Sequence, residues 1–438
     1  MKDLKRLWLI SLFVKLILAA LIPLSADEAY YWVWSNRLQL SYFDHPPMVA
    51  WLFYLGHFLE PVLHAVRWPA VILGHMTIWV GIELLRKYVD LEKIRLWIYL
   101  VLFSPLLGFG SLIVTPDLPV IFFWVLSIYC FDLVLTKKDL KSYAAFGCAL
   151  GLGFCAKYHI VLFVPCLLLY LLFERKWREV IWKYVPVTIA TGLLFCLPVI
   201  LWNYQNDFMS FRFQLDHGFE RPEYKAEWTI TYVLAQILII FPWVFWAAIR
   251  AKVPGTLRYL IYFAWVPLLF FFGTSFKALV EANWPIIAYP SVLMLAVLHP
   301  KMQSWYRYYV GFFGILIALV LSLLFIPQLR KLDPKIGEPF DYQRLASETV
   351  SYQPLYGDSY QMASSLWYFG KSPVFKLTGI SRYDFFDTFP EAKPQGNKFY
   401  LVKRAGNGLP QWISEQQWTY QEVKTIAPDF VVLEFTRP

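Results

Sequence analysis

Long runs of apolar residues, many nearly long enough to cross a lipid bilayer, constrain this chain of 438 residues more than any other feature. A helix needs about 20 apolar residues to span the hydrocarbon core, because its backbone groups must satisfy one another where no water is present. Runs such as Leu96–Val114 and Tyr308–Pro327 approach or reach that length. Neither strand alternation nor the apolar stripe of a surface helix would produce them. Hydrophobic residues make up 58% of the chain and charged ones 16%. The 20 Trp and 28 Tyr supply amphipathic rings that favour the membrane–water boundary. The expectation is a mainly α, polytopic membrane protein.

About eleven spans are predicted on this basis. They cover about Trp8–Leu24, Trp68–Leu85, Leu96–Val114, Leu118–Leu135, Ser142–Ala156 and Ile160–Phe173. Beyond these come about Lys183–Trp202, Thr229–Ile249, Tyr259–Ser275, Pro285–Leu298 and Tyr308–Pro327. The first run follows Lys2, Lys5 and Arg6 without a convincing small-residue cleavage site, so it reads as an uncleaved span. With the amino terminus in the cytoplasm, the cytoplasmic connections hold nineteen Lys and Arg and the external loops before the tail hold seven. Basic residues resist translocation, so this imbalance sets the orientation. It also accounts for the net charge of +9. A nucleic-acid partner would require the basic groups on one folded face and is not expected. All five cysteines fall in apolar segments and read as small buried side chains rather than disulfides or metal ligands.

From Arg330 the composition changes to thirteen basic and twelve acidic residues, with turn signals and strand-like runs at Lys398–Lys403 and Phe430–Phe435. A helix-like stretch lies near Ser359–Phe369. The domain division predicted is therefore 1–328, a transmembrane catalytic domain with interfacial helices in its first external loop, and 329–438, a small soluble α/β domain on the external, periplasmic side.

In this topology the unusual polar residues near span ends share the external side. They comprise Asp27-Glu28 and Asp44-His45 in the first loop, Asp117 after Pro116, and Lys157-Tyr158-His159. Asp216-His217, Lys277, and Glu281 with Asn283 complete the set. Ionisable groups at membrane depth usually face partners or a wet cavity. This mixture suits a substrate that joins a phosphate, a sugar and a greasy tail: cations hold phosphate, a carboxylate takes a proton, and aromatic rings stack on the sugar. Taken singly, each residue has an ordinary structural reading as well. Asp27-Glu28 and Asp117 fit helix starts, Lys157 fits a side chain reaching to the interface, His45 fits a turn, and His217 fits a solvated loop.

The strings DEAYYWVWS, LSYFDHPPMVAW, TPDLPVIFFW, CAKYHIVL, LPVILWN with FRFQLDHG, and EANWPIIAYP occur in that order between Asp27 and Pro290. Together they resemble the GT-C superfamily of polyprenyl-phosphate-sugar-dependent glycosyltransferases. The likeness is to bacterial relatives of the dolichyl-phosphate-mannose protein mannosyltransferases and, more distantly, to the lipid A aminoarabinose transferases. The resemblance implies an inverting transfer from an undecaprenyl-phosphate-type donor at the periplasmic face of the bacterial inner membrane, with a lipid (lipid A included), a glycan or a protein as acceptor. Asp27 and Glu28 match the catalytic acidic pair, with Asp27 as base. Lys157, and less directly Lys277, would stabilise the leaving phosphate. Asp44, His45, Asp117, Tyr158, His217, Glu281 and Asn283 would line the substrate site. No cofactor is required by this reading, although Asp44, His45 and Glu281 could supply ligands to a divalent metal. Two other classes make different demands. A transporter calls for midplane polar residues and repeat symmetry, neither of which the sequence shows. A polysaccharide ligase using a pyrophosphate donor calls for arginines in a large external loop, where this chain has Arg212 and Arg221 with Lys225.

Overall fold

The computed structural model describes residues 1–219, 223–427 and 429–437, and the side chains of all of these except 216–219. Helix α1 (Lys2–Leu21) ends before Pro23, and the chain then turns through 89° into α2 (Ala26–Asn36). That sharp turn is held by a capping box, with the Ser25 hydroxyl accepting from Glu28 N and the Glu28 carboxylate accepting from Ser25 N. The helices α3 (Met48–Gly56), α4 (Trp68–Leu85) and α5 (Leu91–Phe103) follow. Next come α6 (Asp117–Lys137), α7 (Leu140–Ala156), α8 (Phe163–Phe173), α9 (Val185–Gln205) and α10 (Met209–Phe219). The membrane part is completed by α11 (Ala226–Ile240), α12 (Pro242–Arg250), α13 (Tyr259–Thr274), α14 (Tyr289–Ala296) and α15 (Met302–Phe325).

Each of the eleven apolar segments falls on a helix or a broken pair of helices. Four helices are long and apolar enough to cross a membrane alone, and seven spans result if each bent pair counts as one. Two segments read as straight spans are broken. The third leaves α5 at Ser104 and re-enters a tight π-helical turn from Pro105, bent by 72°. The eighth bends by 87° between α11 and α12, where Phe241 has φ +78° and Pro242 follows. Proline forces the residue before it out of the helical region and offers no N–H to the preceding turn, so both breaks sit immediately before one.

The apolar blocks are not equivalent. The best apolar window of α6 is 72% buried, whereas those of the ninth and fifteenth helices are 17% and 11% buried. The sixth helix is thus the centre of the bundle and presents its amino-terminal Asp117 to the interior. The ninth and fifteenth turn Leu and Phe side chains outward, as lipid-facing helices do. Close approach of α7 and α9 depends on Gly147 and Gly151, where a Cβ would come within 2.1 Å of Thr188 O and 2.4 Å of Gly192 O respectively. Lys15 on α1 is buried and donates to Ser111 Oγ at 2.7 Å.

After α16 (Pro334–Thr349), the tail forms a five-stranded sheet in the order β2-β1-β3-β5-β4. The strands are β1 (Leu355–Gly357), β2 (Phe375–Lys376), β3 (Lys398–Arg404), β4 (Thr419–Ile426) and β5 (Phe430–Thr436). The first three pair in parallel and the last three antiparallel. Helix α17 (Tyr360–Gly370), capped by Ser359, lies between β1 and β2, and the short α18 (Trp412–Glu415) precedes β4. The tail does not stand apart from the helices. Tyr342, Leu366, Phe385 and Phe386 belong to the same continuous core as Tyr30, Trp32 and Trp34 of α2. Tyr30 packs against Tyr360 with the rings tilted by 43° and their centroids 4.4 Å apart.

Candidate active site

Most of the residues that their sequence positions assign to one side meet around a cavity of about 590 Å³. Asp27 and Tyr31 enter from α2, Asp44 and His45 from the loop before α3, and Asp117 from the start of α6. Lys157, Tyr158 and His159 follow the end of α7, and Glu281 and Asn283 come from the segment after α13. Val161, Leu162, Phe270, Phe271 and Trp284 form an apolar wall.

Two ion pairs organise the interior. Lys157 Nζ lies 2.6 Å from Asp117 Oδ1, and Asn283 Nδ2 donates to Asp117 Oδ2 at 2.7 Å. Both charges sit where helix dipoles favour them: Asp117 in the first turn of α6, and Lys157 at the carboxyl-terminal cap of α7. Both are also largely buried, and Asp117 starts α6 and lines the cavity at once. The second pair joins Asp44 to Arg382, a residue of the tail, at 2.7 Å. The other Asp44 oxygen accepts from Tyr30 Oη at 2.7 Å, and the Tyr30 oxygen accepts from Phe385 N at 2.9 Å. The Arg382 guanidinium lies over the rings of Tyr360 and Phe213. Although burial opposes its charge, Asp44 and Tyr360 hold its pKa above the ordinary arginine value.

The acidic pair of α2 divides. Asp27 is exposed, but into the cavity. Enclosure by the surrounding protein raises its pKa above 3.8, and hydrogen bonding from Tyr360 Oη at 3.3 Å together with the Arg382 charge opposes the rise. Glu28 points away and does not line the cavity. It is fully buried, with Oε1 accepting from Val114 N and Oε2 from Ser25 and from Arg67 at 3.0 Å. Glu28, expected as the second member of the catalytic pair, ties the turn before α2 to Arg67 and to the loop before α6 and is not among the residues lining the cavity. Removing one partner of such a buried pair leaves an uncompensated charge. Glu28→Ala is thus expected to lose about 3–5 kcal/mol of stability, read as a lowered thermal transition of the detergent-solubilised protein.

Other expectations shift as well. Lys277 is exposed on the segment after α13 and does not line the cavity, so its role at the phosphate is not supported by its position. The side chain of His217 lies outside the described residues. Tyr158 lines the cavity and shares a hydrogen bond of 2.9 Å with Ser210. His159, flagged with its neighbours but assigned no role by sequence, stacks on Phe271 at 5.3 Å and so joins the aromatic wall. Among the described residues no group of three His, Cys, Asp or Glu side chains converges as a metal site. Of the trio suggested for one, Asp44 already has both oxygens engaged. Arg382 and Tyr360 were not foreseen; the only trace of the arginine was a run of charges and rings, Ser-Arg-Tyr-Asp-Phe-Phe-Asp, in a segment without periodicity.

Comparison with known proteins fits this architecture. The family model for dolichyl-phosphate-mannose-protein mannosyltransferase matches residues 44–202. Lipid A galacturonosyltransferase of Rhizobium johnstonii is 26% identical over 62% of this chain and 59% of its own length. The undecaprenyl phosphate-α-4-amino-4-deoxy-L-arabinose arabinosyl transferase 2 of Pseudomonas fluorescens is 24% identical over 64% of this chain and 57% of its own. The chain thus matches less than two thirds of the length of these relatives. The crystal structure of ArnT from Cupriavidus metallidurans bound to undecaprenyl phosphate superposes with a TM-score of 0.70, covering 99% of this chain and 98% of that one at 14% identity. Its apo form gives 0.71 at 15% identity. The fold is shared from end to end, the sheet-bearing tail included, and the resemblance to the GT-C glycosyltransferases read from the motifs is supported by sequence and by fold.

Proposed function

We propose that this chain, which resembles the polyprenyl-phosphate-sugar-dependent GT-C enzymes, is an inverting glycosyltransferase of the bacterial inner membrane. It would move a single sugar from an undecaprenyl-phosphate donor to a lipid, glycan or protein acceptor at the periplasmic face, with eleven spans and an external tail. The observation that carries this reading is one cavity in which a carboxylate open to the space, Asp27, and a buried lysine, Lys157, share walls of apolar and aromatic side chains. That combination matches a substrate with a phosphate between a sugar and an isoprenoid. The relatives named for undecaprenyl-phosphate-linked and lipid A sugar transfer point the same way.

In the proposed reaction an acceptor O–H gives its proton to the Asp27 carboxylate as its oxygen bonds to the anomeric carbon. The bond from that carbon to the phosphate oxygen breaks, its electron pair stays on the polyprenyl phosphate, and the configuration inverts. Lys157 stabilises the departing phosphate by exchanging part of its bond to Asp117, which Asn283 continues to hold. Asp44, His45, Tyr158 and Glu281 contact the sugar, and His159 with Trp284 offers it a stacking face.

Mass analysis of products from the purified chain supplied with polyprenyl-phosphate sugars tests the reading. A glycosylated acceptor with inverted anomeric configuration supports it, and retention contradicts it. The pH dependence is a finer test. Asp27 must be ionised to act, and its raised pKa places the acid limb of kcat/KM above the usual aspartate range, with activity lost as pH falls through it. Tyr360→Phe removes a hydrogen bond that favours the ionised form, so the limb is expected to move to higher pH. A limb that stays put would detach Tyr360 from the base.

A further inference from the structure

Asp27 also borders a second space. A cleft of about 400 Å³ lies between the start of α2 and the sheet-bearing tail, walled by Glu338, Asp358, Gln361, Arg404 and Asn407. Tyr360 stands beside the residue the two spaces share. Its hydroxyl bonds to Asp27 Oδ1, its ring packs on Tyr30, and the Arg382 guanidinium lies 5.0 Å from its centroid on the side of the donor cavity. The two spaces therefore share one carboxylate.

We infer that this second cleft receives the acceptor, and that the acceptor group is a sugar-type hydroxyl rather than a phosphate. The inference rests on the transferase reading above and adds the class of acceptor to it. Inversion requires the nucleophile to approach opposite the leaving group, and its proton must reach the base. Lys157 lines the first cavity and not the cleft, while Asp27 lines both, so a nucleophile entering by the cleft reaches the base without passing the leaving phosphate.

The charges of the cleft select the acceptor group. It carries the carboxylates of Asp27, Glu338 and Asp358 against one guanidinium, Arg404, which lies 3.2 Å from Glu338. A phosphate dianion there would meet more negative than positive charge, at short range and away from bulk water. Hydroxyls meet the opposite situation, because they donate to carboxylates and amide oxygens. Asp358 is 4% exposed. Its Oδ2 accepts from Arg404 N at 2.9 Å and from Asn407 Nδ2 at 2.7 Å, and Oδ1 has no donor among the described residues. That oxygen belongs to a residue lining the cleft, so it is available to accept from a hydroxyl. Acyl chains find little apolar surface along this wall, so the acceptor presents a polar, sugar-like end to it.

The test uses the full chain, as wild type and as Gln361→Trp, which fills the cleft without touching the donor cavity. Cells lacking the native protein are complemented with each, and mass spectrometry follows the polyprenyl-phosphate sugar and the glycosylated product. Purified samples are checked for thermal stabilisation by undecaprenyl phosphate. The expected result is a tenfold or greater loss of product with accumulation of donor, wild-type stabilisation by undecaprenyl phosphate, and a wild-type product whose new linkage is to a carbon-bound hydroxyl. Undiminished product in Gln361→Trp, or a new linkage found on phosphate, overturns the assignment. If the tryptophan variant shows no thermal transition, Gln361→Ala replaces it. A several-fold rise in acceptor KM is then expected, and an unchanged KM is contradictory. A wild-type protein that undecaprenyl phosphate does not stabilise would instead remove the transferase reading, and this assignment with it.

Discussion

Replacing Asp27 by Asn is expected to lower sugar transfer by about 10²–10⁴-fold, the range a positioned general base contributes, with donor binding and folding preserved. The substitution keeps the size of the side chain, and its amide oxygen can still accept the Tyr360 hydroxyl bond. What it removes is the capacity to take a proton. Asp27 is not a structural carboxylate in the way Glu28 is. Glu28 accepts hydrogen bonds from two backbone amides and an arginine while fully buried, whereas Asp27 is open to the cavity. The contrast makes a matched measurement. Asp27→Asn should lose rate and keep its thermal transition, and Glu28→Ala should lose its thermal transition first. Full transfer activity in Asp27→Asn would end the assignment of the base.

Lys157→Met is expected to have a double effect. Loss of the ammonium opposite the leaving phosphate should lower turnover by about 10²–10³-fold, as removal of one preorganised electrostatic donor does. It also strands Asp117, whose remaining partner is Asn283. A buried charge without its counter-ion costs about 3–5 kcal/mol, so the variant should melt at distinctly lower temperature. The two effects separate in the double variant Lys157→Met with Asp117→Asn, where no charge is left unpaired. Stability should return and turnover should not. If turnover returned as well, Lys157 would be a structural partner of Asp117 and nothing more.

Features legible in the sequence are those whose interactions are local. Span-length apolar blocks report their own environment, and each falls on a helix or a broken pair of helices. The strand runs at Lys398–Lys403 and Phe430–Phe435 likewise became β3 and β5, and the helix-like stretch near Ser359–Phe369 became α17. β4 was missed because seven of its eight residues are not buried, so it carries no apolar alternation to read. The breaks at Ser104 and Phe241 were missed for a different reason. Prolines are tolerated in apolar helices when neighbouring elements satisfy the freed backbone groups, so Pro105 and Pro242 alone did not distinguish a bend from a span.

The site shows the same limit more sharply. Asp27, Asp44, Asp117, Lys157, Glu281 and Asn283 could be grouped because the alternation of spans places their turns on one face. Which member of the Asp27-Glu28 pair looks inward depends on Arg67, thirty-nine residues away, and no local pattern encodes that. Arg382 and Tyr360 arrive from a segment more than 300 residues after Asp27 and Asp44 in the chain. Their approach depends on how the tail docks on α2, through the packing of Phe385 and Phe386 beside Tyr30. Lys277, the weaker candidate for the phosphate under the resemblance, has an exposed side chain and is not among the residues lining the cavity.

A structure of the full-length chain in lipid nanodiscs with undecaprenyl phosphate bound tests most directly whether Asp27 and Lys157 serve one donor site. The prediction is phosphate density within hydrogen-bonding distance of Lys157 Nζ, in the space that Asp27 and Arg382 also border, with the isoprenoid running out along Val161, Phe270 and Phe271. Lipid found only on the outer helices, with Lys157 still closed on Asp117 and the cavity holding water alone, would contradict it.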